Sequence, residues 1–253
     1  VRSGAQLGTS VIWQAGDPPP AADINMSLVA KAGEGEAEYL LSEPVPLTGA
    51  NYPASAWQAG ELLRSWLNAR ISPAMEPGLY KLEMQLTSAD ESGNELVRLP
   101  IGEFTITGWP RNFEPPRPQV TVNATFGTVA TLVGLDANTD SLSPGETLEV
   151  LVHWQAKDEF DRDYTSFVQL IGPDGRLYGQ VDHTPGDGQF PTTGWIPGEH
   201  IADASQVSLA PDAPSGAYQV AVGMYDPSTG ERLPVTQGGC EPDVCLLPGL
   251  TVN

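Results

Sequence analysis

The chain states one pattern twice, and this constrains its fold more than any other feature. Val11-Ile12-Trp13-Gln14-Ala15 returns as Val152-His153-Trp154-Gln155-Ala156. Ala56-Trp57-Gln58-Ala59-Gly60-Glu61 returns as Gly194-Trp195-Ile196-Pro197-Gly198-Glu199, and Ile71, Pro73, Gly78 and Tyr80 fall on Leu209, Pro211, Gly216 and Tyr218. A repeat of this length marks two copies of one architectural unit, so domain boundaries follow from it. What recurs is Trp, Gly, Pro, Tyr and alternating apolar residues, which build a framework and do no chemistry.

Within each copy the apolar residues alternate with period two. Tyr80, Leu82, Met84 and Leu86 are separated by Lys81, Glu83 and Gln85, and Tyr218 to Tyr225 repeats the apolar set. Such alternation puts one face of a strand inward and the other outward. Turn residues stand between the strands: Gly172-Pro173-Asp174-Gly175, Asp226-Pro227-Ser228-Thr229-Gly230 and Asp90-Glu91-Ser92-Gly93-Asn94. With 27 Gly and 24 Pro, the chain suits short strands and tight turns rather than helices. One segment dissents. In Ala54 to Arg70, residues Ala59, Leu62, Leu63, Trp66 and Leu67 have helical spacing, but the equivalent segment contains Pro197. A proline inside a helix removes a hydrogen bond and clashes with the preceding turn, so the repeat predicts strand or loop in both.

The predicted fold is therefore all-β: two tandem antiparallel β-sandwiches of immunoglobulin-like or jelly-roll type. Domain 1 spans residues 1–108, a Pro-rich connector 109–119, and domain 2 residues 120–253. Four prolines in the connector predict a stiff, extended link. Copy one has no counterpart of Val120 to Ser141, so residue 1 reads as a cut within a longer protein. The shortfall predicts an open sheet edge in domain 1, through which two chains could pair as a homodimer.

Charge narrows the partners. With 12 Lys and Arg against 32 Asp and Glu, the net charge of −20 repels nucleic acid and anionic lipid. No run of apolar residues is long enough to span a membrane. Cys240 and Cys245 enclose Glu-Pro-Asp-Val, a spacing that fits a disulfide across a hairpin-like loop, with free thiols and a metal site as the other readings.

Candidate ligand-binding residues are the loop tryptophans Trp57 and Trp195, which could stack on sugar rings, with Tyr178, Tyr225 and Tyr52 as further aromatic surface. Against this stands the reading that each indole plugs a core, which is preferred for all four and most strongly for Trp13 and Trp154. Asp158, Glu159, Asp161 and Asp163 could offer oxygens to calcium, although no EF-hand spacing is present and a solvated loop is preferred. His183 lies among carboxylates in a stretch that reads as a surface loop. The chain carries no nucleophile elbow, zinc-protease motif or phosphate-binding loop, so neither catalytic residues nor a cofactor are assigned.

Asn123-Ala124-Thr125-Phe126-Gly127, Leu142-Ser143-Pro144-Gly145-Glu146-Thr147-Leu148, Thr193 to Glu199, Ala210 to Tyr218 and Val222 to Leu233 together carry a resemblance. The string resembles the extracytoplasmic β-sandwich regions at the C-terminal ends of bacterial polytopic membrane proteins, many of them dolichyl-phosphate-mannose mannosyltransferase-like glycosyltransferases. It covers nearly all of residues 120–253, and copy one more loosely. The resemblance implies a non-catalytic module outside the membrane, tethered through another part of its parent protein. Such a module would bind or position cell-envelope glycan or a protein partner. The alternative is a structural spacer or adhesin-like stalk.

Overall fold

The computed structural model describes residues 1–33, 37–49 and 51–253. It divides into two compact units, Val1–Gly108 and Trp109–Asn253. Unit 1 contains β1 (Gln6–Gln14), β2 (Ile24–Ala32), β3 (Glu38–Leu40), β4 (Val45–Pro46), β5 (Leu62–Arg70), β6 (Gly78–Ser88) and β7 (Glu95–Ile106). Unit 2 contains β8 (Val120–Phe126), β9 (Ala130–Ala137), β10 (Ser141–Leu142), β11 (Thr147–Ala156), β12 (Thr165–Ile171) and β13 (Leu177–His183). It continues with β14 (His200–Ser208), β15 (Gly216–Tyr225), β16 (Val235–Gln237) and β17 (Cys245–Val252). The fold is all-β.

Unit 2 is a sandwich of two five-stranded sheets, ordered β10-β17-β15-β12-β13 and β14-β11-β9-β8-β16. Unit 1 repeats the first as β7-β6-β2-β3, with β4 beside β2, but reduces the second to β1-β5. The register repeats too. Trp13 faces Leu63 across β1 and β5, and Trp154 faces Ile201 across β11 and β14. Arg2 bridges Thr107 in parallel, as Ser141 does Thr251. Among the described residues of unit 1, no strand takes the places of β8, β9 and β16.

Each interior follows from the alternation. On β6, Tyr80, Leu82, Met84 and Leu86 are buried, and Tyr218, Val220, Val222 and Met224 of β15 are their equivalents. Both tyrosines donate to a carbonyl four residues back, Tyr80 Oη to Glu76 O at 2.9 Å and Tyr218 Oη to Pro214 O at 3.0 Å. This corner pins the chain as it enters the strand in each copy. The helical spacing at residues 54–70 resolves into a single 3-10 turn, Ala54–Ala56, followed by β5.

The stretch 109–119 is not a free connector. Trp109 meets Phe190 edge-on at 5.4 Å, and its Nε1 donates to Glu199 Oε1 at 2.8 Å. Arg111 Nη1 donates to Glu199 Oε2 at 2.7 Å and to Gly194 O at 2.8 Å, while His200 N donates to Asn112 O. The cause is Glu199: its side chain is buried, and a carboxylate out of water must be paired and hydrogen-bonded. The extended proline-rich segment delivers those partners and so belongs to unit 2.

Candidate functional site

The two tryptophans that are candidates for ligand binding are core residues. Trp57 is 5% exposed and Trp195 has no exposed surface. The Trp57 Nε1 donates to Thr48 Oγ1 at 3.1 Å and the Trp195 Nε1 to Phe190 O at 2.9 Å, while Phe160 meets Trp195 edge-on at 5.3 Å. Each follows a 3-10 turn whose backbone folds the indole inward, so the flanking glycines serve the turn and not a ligand. Gly60 and Gly198, both at positive φ, sit in the next turn, which Glu61 N to Gln58 O and Glu199 N to Ile196 O close in the two copies.

The tyrosines do not form one surface. Tyr178 packs on the main core of unit 2, edge-on to Tyr218, and its hydroxyl donates to Asp174 Oδ2 at 2.9 Å. Tyr225 packs with Phe167 in a separate small cluster, where Arg232 lies over the Phe167 ring at 4.5 Å. Tyr52 is held by Glu61, to which its hydroxyl donates at 2.8 Å.

The acidic candidates also have other work. Asp163 Oδ1 accepts from the backbone and hydroxyl of Thr193, Asp161 pairs with Arg162, and Asp158 accepts from the Glu159 backbone. Among the described residues, no three His, Cys, Asp or Glu side chains converge as a metal site. Cys240 and Cys245 are joined by a disulfide, across a loop that Glu241 and Val244 close as an antiparallel bridge.

His183 is not on an open loop. It ends β13, with Nε2 2.8 Å from Oδ1 of the fully buried Asp203, which also accepts from Gly186 N. The Asp203 hydrogen bond, aided by the charges of Asp203, Asp187 and Asp182, raises the imidazole pKa against burial. Ser166 lies opposite His183 across β12 and β13 and is also fully buried. A cleft of ≈ 460 Å³ opens in unit 2 among Leu135, Leu148, Val220, Leu247 and Leu250, and Asp140 is the one titratable group lining it.

The exposed site lies in unit 1. On the outer face of the two-stranded sheet, Ile12, Leu62 and Trp66 are 67%, 68% and 67% exposed. Ser10 faces Trp66, Ile12 faces Arg64 and Gln14 faces Leu62, so these six residues share one face. Arg64 donates to Ser10 Oγ at 3.2 Å and holds its guanidinium carbon 4.6 Å from the Trp66 ring centroid. Neither strand carries an Asp or Glu, although the chain holds 32 of them. The equivalents of Arg64 and Trp66 on β14 are the exposed residues Ala202 and Ala204. The duplicated framework is kept, and this face carries aromatic and cationic side chains where β14 carries alanines.

Trp66 and Leu62 were missed because the helical spacing assigns both to the same buried stripe as Leu63 and Leu67. A strand splits that set. Period two places Leu62, Arg64 and Trp66 opposite Leu63, Ser65 and Leu67, so the strand assignment already contained the signal.

No protein family and no curated protein matches the chain. Among solved structures, it is similar over 98% of its length to a glycosyl hydrolase family 2 member from Bacteroides cellulosilyticus, at 8% identity and a TM-score of 0.27. The aligned region spans 29% of that hydrolase. It is also similar over 100% of its length to the C-terminal domain of the Streptococcus agalactiae AgI/II polypeptide BspA, at 10% identity, 94% coverage of that chain and a TM-score of 0.28. Likenesses this distant carry no functional information.

Proposed function

We propose that the chain is a non-catalytic, extracytoplasmic β-sandwich module of a larger membrane protein, and that it binds a protein partner through the outer face of β1 and β5. One observation carries the reading: Ile12, Leu62 and Trp66 stand side by side in solvent on a sheet free of carboxylates. Contiguous exposed apolar surface costs solubility, so a site of this kind marks an interaction surface. An aromatic flanked by aliphatics and an Arg has the composition of a protein interface core. Glycan recognition loses its original support with Trp57 and Trp195 buried. The Cys240–Cys245 bond supports an oxidising compartment outside the cytoplasm. Among the described residues, no helix is long and apolar enough to cross a membrane.

The test immobilises the chain and its Trp66→Ala variant and exposes both to cell-envelope proteins and to a panel of envelope polysaccharides. A protein retained by the parent chain and lost with Trp66→Ala supports the reading. Equal retention by both, or polysaccharide binding that depends on Trp66, overturns it.

A further inference from the structure

The cleft of unit 2 has an apolar floor and a polar rim. It is lined from one sheet by β8, β9 and β11 and from the other by β15 and β17. Leu135, Leu148, Val220 and Leu250 form the floor and belong to the core of unit 2. Val120, 36% exposed, and the half-buried Leu247 leave apolar surface at its side. Two of the lining strands carry bulges. On β17, Tyr218 pairs with Leu250 and Gln219 with Pro248, so Gly249 is an extra residue, at φ +122°. On β8, Thr121 faces Gly134 and Ala124 faces Leu132, so one residue is again in excess. A bulged strand bends out of regular pairing, which fits a gap between the sheets at this place. At ≈ 460 Å³ the cleft falls within the range of small-molecule sites, about 300–1,000 Å³.

The rim holds polar groups that the fold leaves unmatched. Gln119 Oε1 accepts from Ala137 N at 3.1 Å, and Asn138 Oδ1 accepts from Glu149 N at 3.0 Å. Each amide is fixed through its oxygen, and its NH2 group keeps its donors with no acceptor among the described residues. Thr139 Oγ1 is already engaged, donating to Ser141 O and accepting from Ser141 N. Asp140 is the reverse case. Its carboxylate makes no hydrogen bond or ion pair among the described residues, and the fold uses only its carbonyl, which accepts from Thr251 N at 2.8 Å. The mouth thus presents two amide donor groups beside one carboxylate, which accepts only.

We infer that this cleft binds a small neutral amphiphile, with its apolar tail between the sheets and a hydroxylated head at Gln119, Asn138 and Asp140. Complementarity selects the head. A hydroxyl both accepts and donates, so the hydroxyls of one head take the amide N–H groups and serve the carboxylate. A carboxylate or phosphate head would meet Asp140 on a chain of net charge −20. An ammonium head has donors only and leaves both amide groups unmatched. The floor selects the tail, since a wholly polar ligand would bury its hydroxyls against leucine and valine. The inference goes beyond the proposed function and does not rest on the β1–β5 face.

Isothermal titration calorimetry of the full chain with octyl β-glucoside, kept below its micelle concentration, tests the inference against octanoate, octylamine and glucose. The glucoside binds saturably, and each CH2 added between the hexyl and octyl glucosides tightens binding about threefold to fourfold. Octanoate, octylamine and glucose each bind at least about tenfold more weakly. Val120→Trp fills the side of the cleft and abolishes binding, with thermal unfolding reporting that the fold is intact. Asp140→Asn removes the charge and narrows the gap between octanoate and the glucoside by about twofold to fivefold. This second variant carries the test if the larger side chain prevents folding. No saturable binding of the glucoside, equal binding of any of the other three, or binding indifferent to both variants overturns the inference. Both substitutions lie in unit 2, so either result leaves the Trp66→Ala test of the proposed function standing on its own.

Discussion

The guanidinium carbon of Arg64 lies 4.6 Å from the ring centroid of Trp66, two residues along β5 on the same outward face. Neither side chain is needed by the fold, since alanines stand at the equivalent places in unit 2. A cation over an indole is worth about 0.5–1 kcal/mol at an exposed site. It covers part of the ring with the guanidinium and leaves the rest of the side chain, 67% exposed, to a partner.

Trp66→Ala therefore leaves stability within about 0.5–1 kcal/mol of the parent chain, because it removes an exposed ring and one cation–π contact. Urea unfolding checks this. The same substitution abolishes partner retention, so binding and stability separate at this residue.

Trp57→Ala and Trp195→Ala behave in the opposite way. Each removes a buried indole with a satisfied N–H and costs about 3–5 kcal/mol in its own unit. Chemical denaturation followed by near-ultraviolet circular dichroism reads the loss. A variant that kept full stability would show the indole to be outside the core.

Arg111→Ala destabilises unit 2 by about 1.5–3 kcal/mol, the usual worth of a hydrogen bond to a charged group. Glu199 keeps the Trp109 and Ile196 donors but loses its cation while remaining buried. The corresponding Glu61 accepts instead from Tyr52 and Gln58, so unit 1 is unaffected. Thermal unfolding that resolves the two transitions distinguishes these outcomes.

Unit 2 also responds to pH through two nameable groups. The His183 pKa is raised in the fold, chiefly by its hydrogen bond to Asp203. Its contribution is present in full below the unfolded value of about 6.5 and is lost as pH rises through the folded value. Unit 2 thus loses stability on going from mildly acid to mildly alkaline solution, and His183→Gln flattens that dependence. Asp226 runs the other way. Hydrogen bonds from Ser228, then the Arg162 pair, depress it from 3.8 to about 2, so its contribution holds above the unfolded value and disappears as pH falls through about 2. Urea midpoints measured across pH for the parent and both variants, His183→Gln and Asp226→Asn, check the two signs.

Much of the architecture was legible because framework residues recur. Trp13 and Trp154, Tyr80 and Tyr218, and the turns before β5 and β14 could be aligned by eye, and that alignment overrode the helical spacing at residues 54–70. The burial of Trp57 and Trp195 was harder to read, since a Gly-flanked tryptophan looks the same whether its turn folds the ring in or out. The role of residues 109–119 was hidden for a different reason. Their partner is the carboxylate of Glu199, far away in sequence, and no local pattern announces a buried acid. The face of β5 was legible in principle, once period two was applied to Leu62, Arg64 and Trp66.

Backbone amide exchange along β1 bears most directly on the open sheet. The structure predicts slow exchange at Leu7, Thr9, Val11 and Trp13, whose amides face β5, and fast exchange at Gly8, Ser10, Ile12 and Gln14, whose amides face the free side. Equal protection at both sets would contradict it, by showing that the edge is already occupied within a single chain.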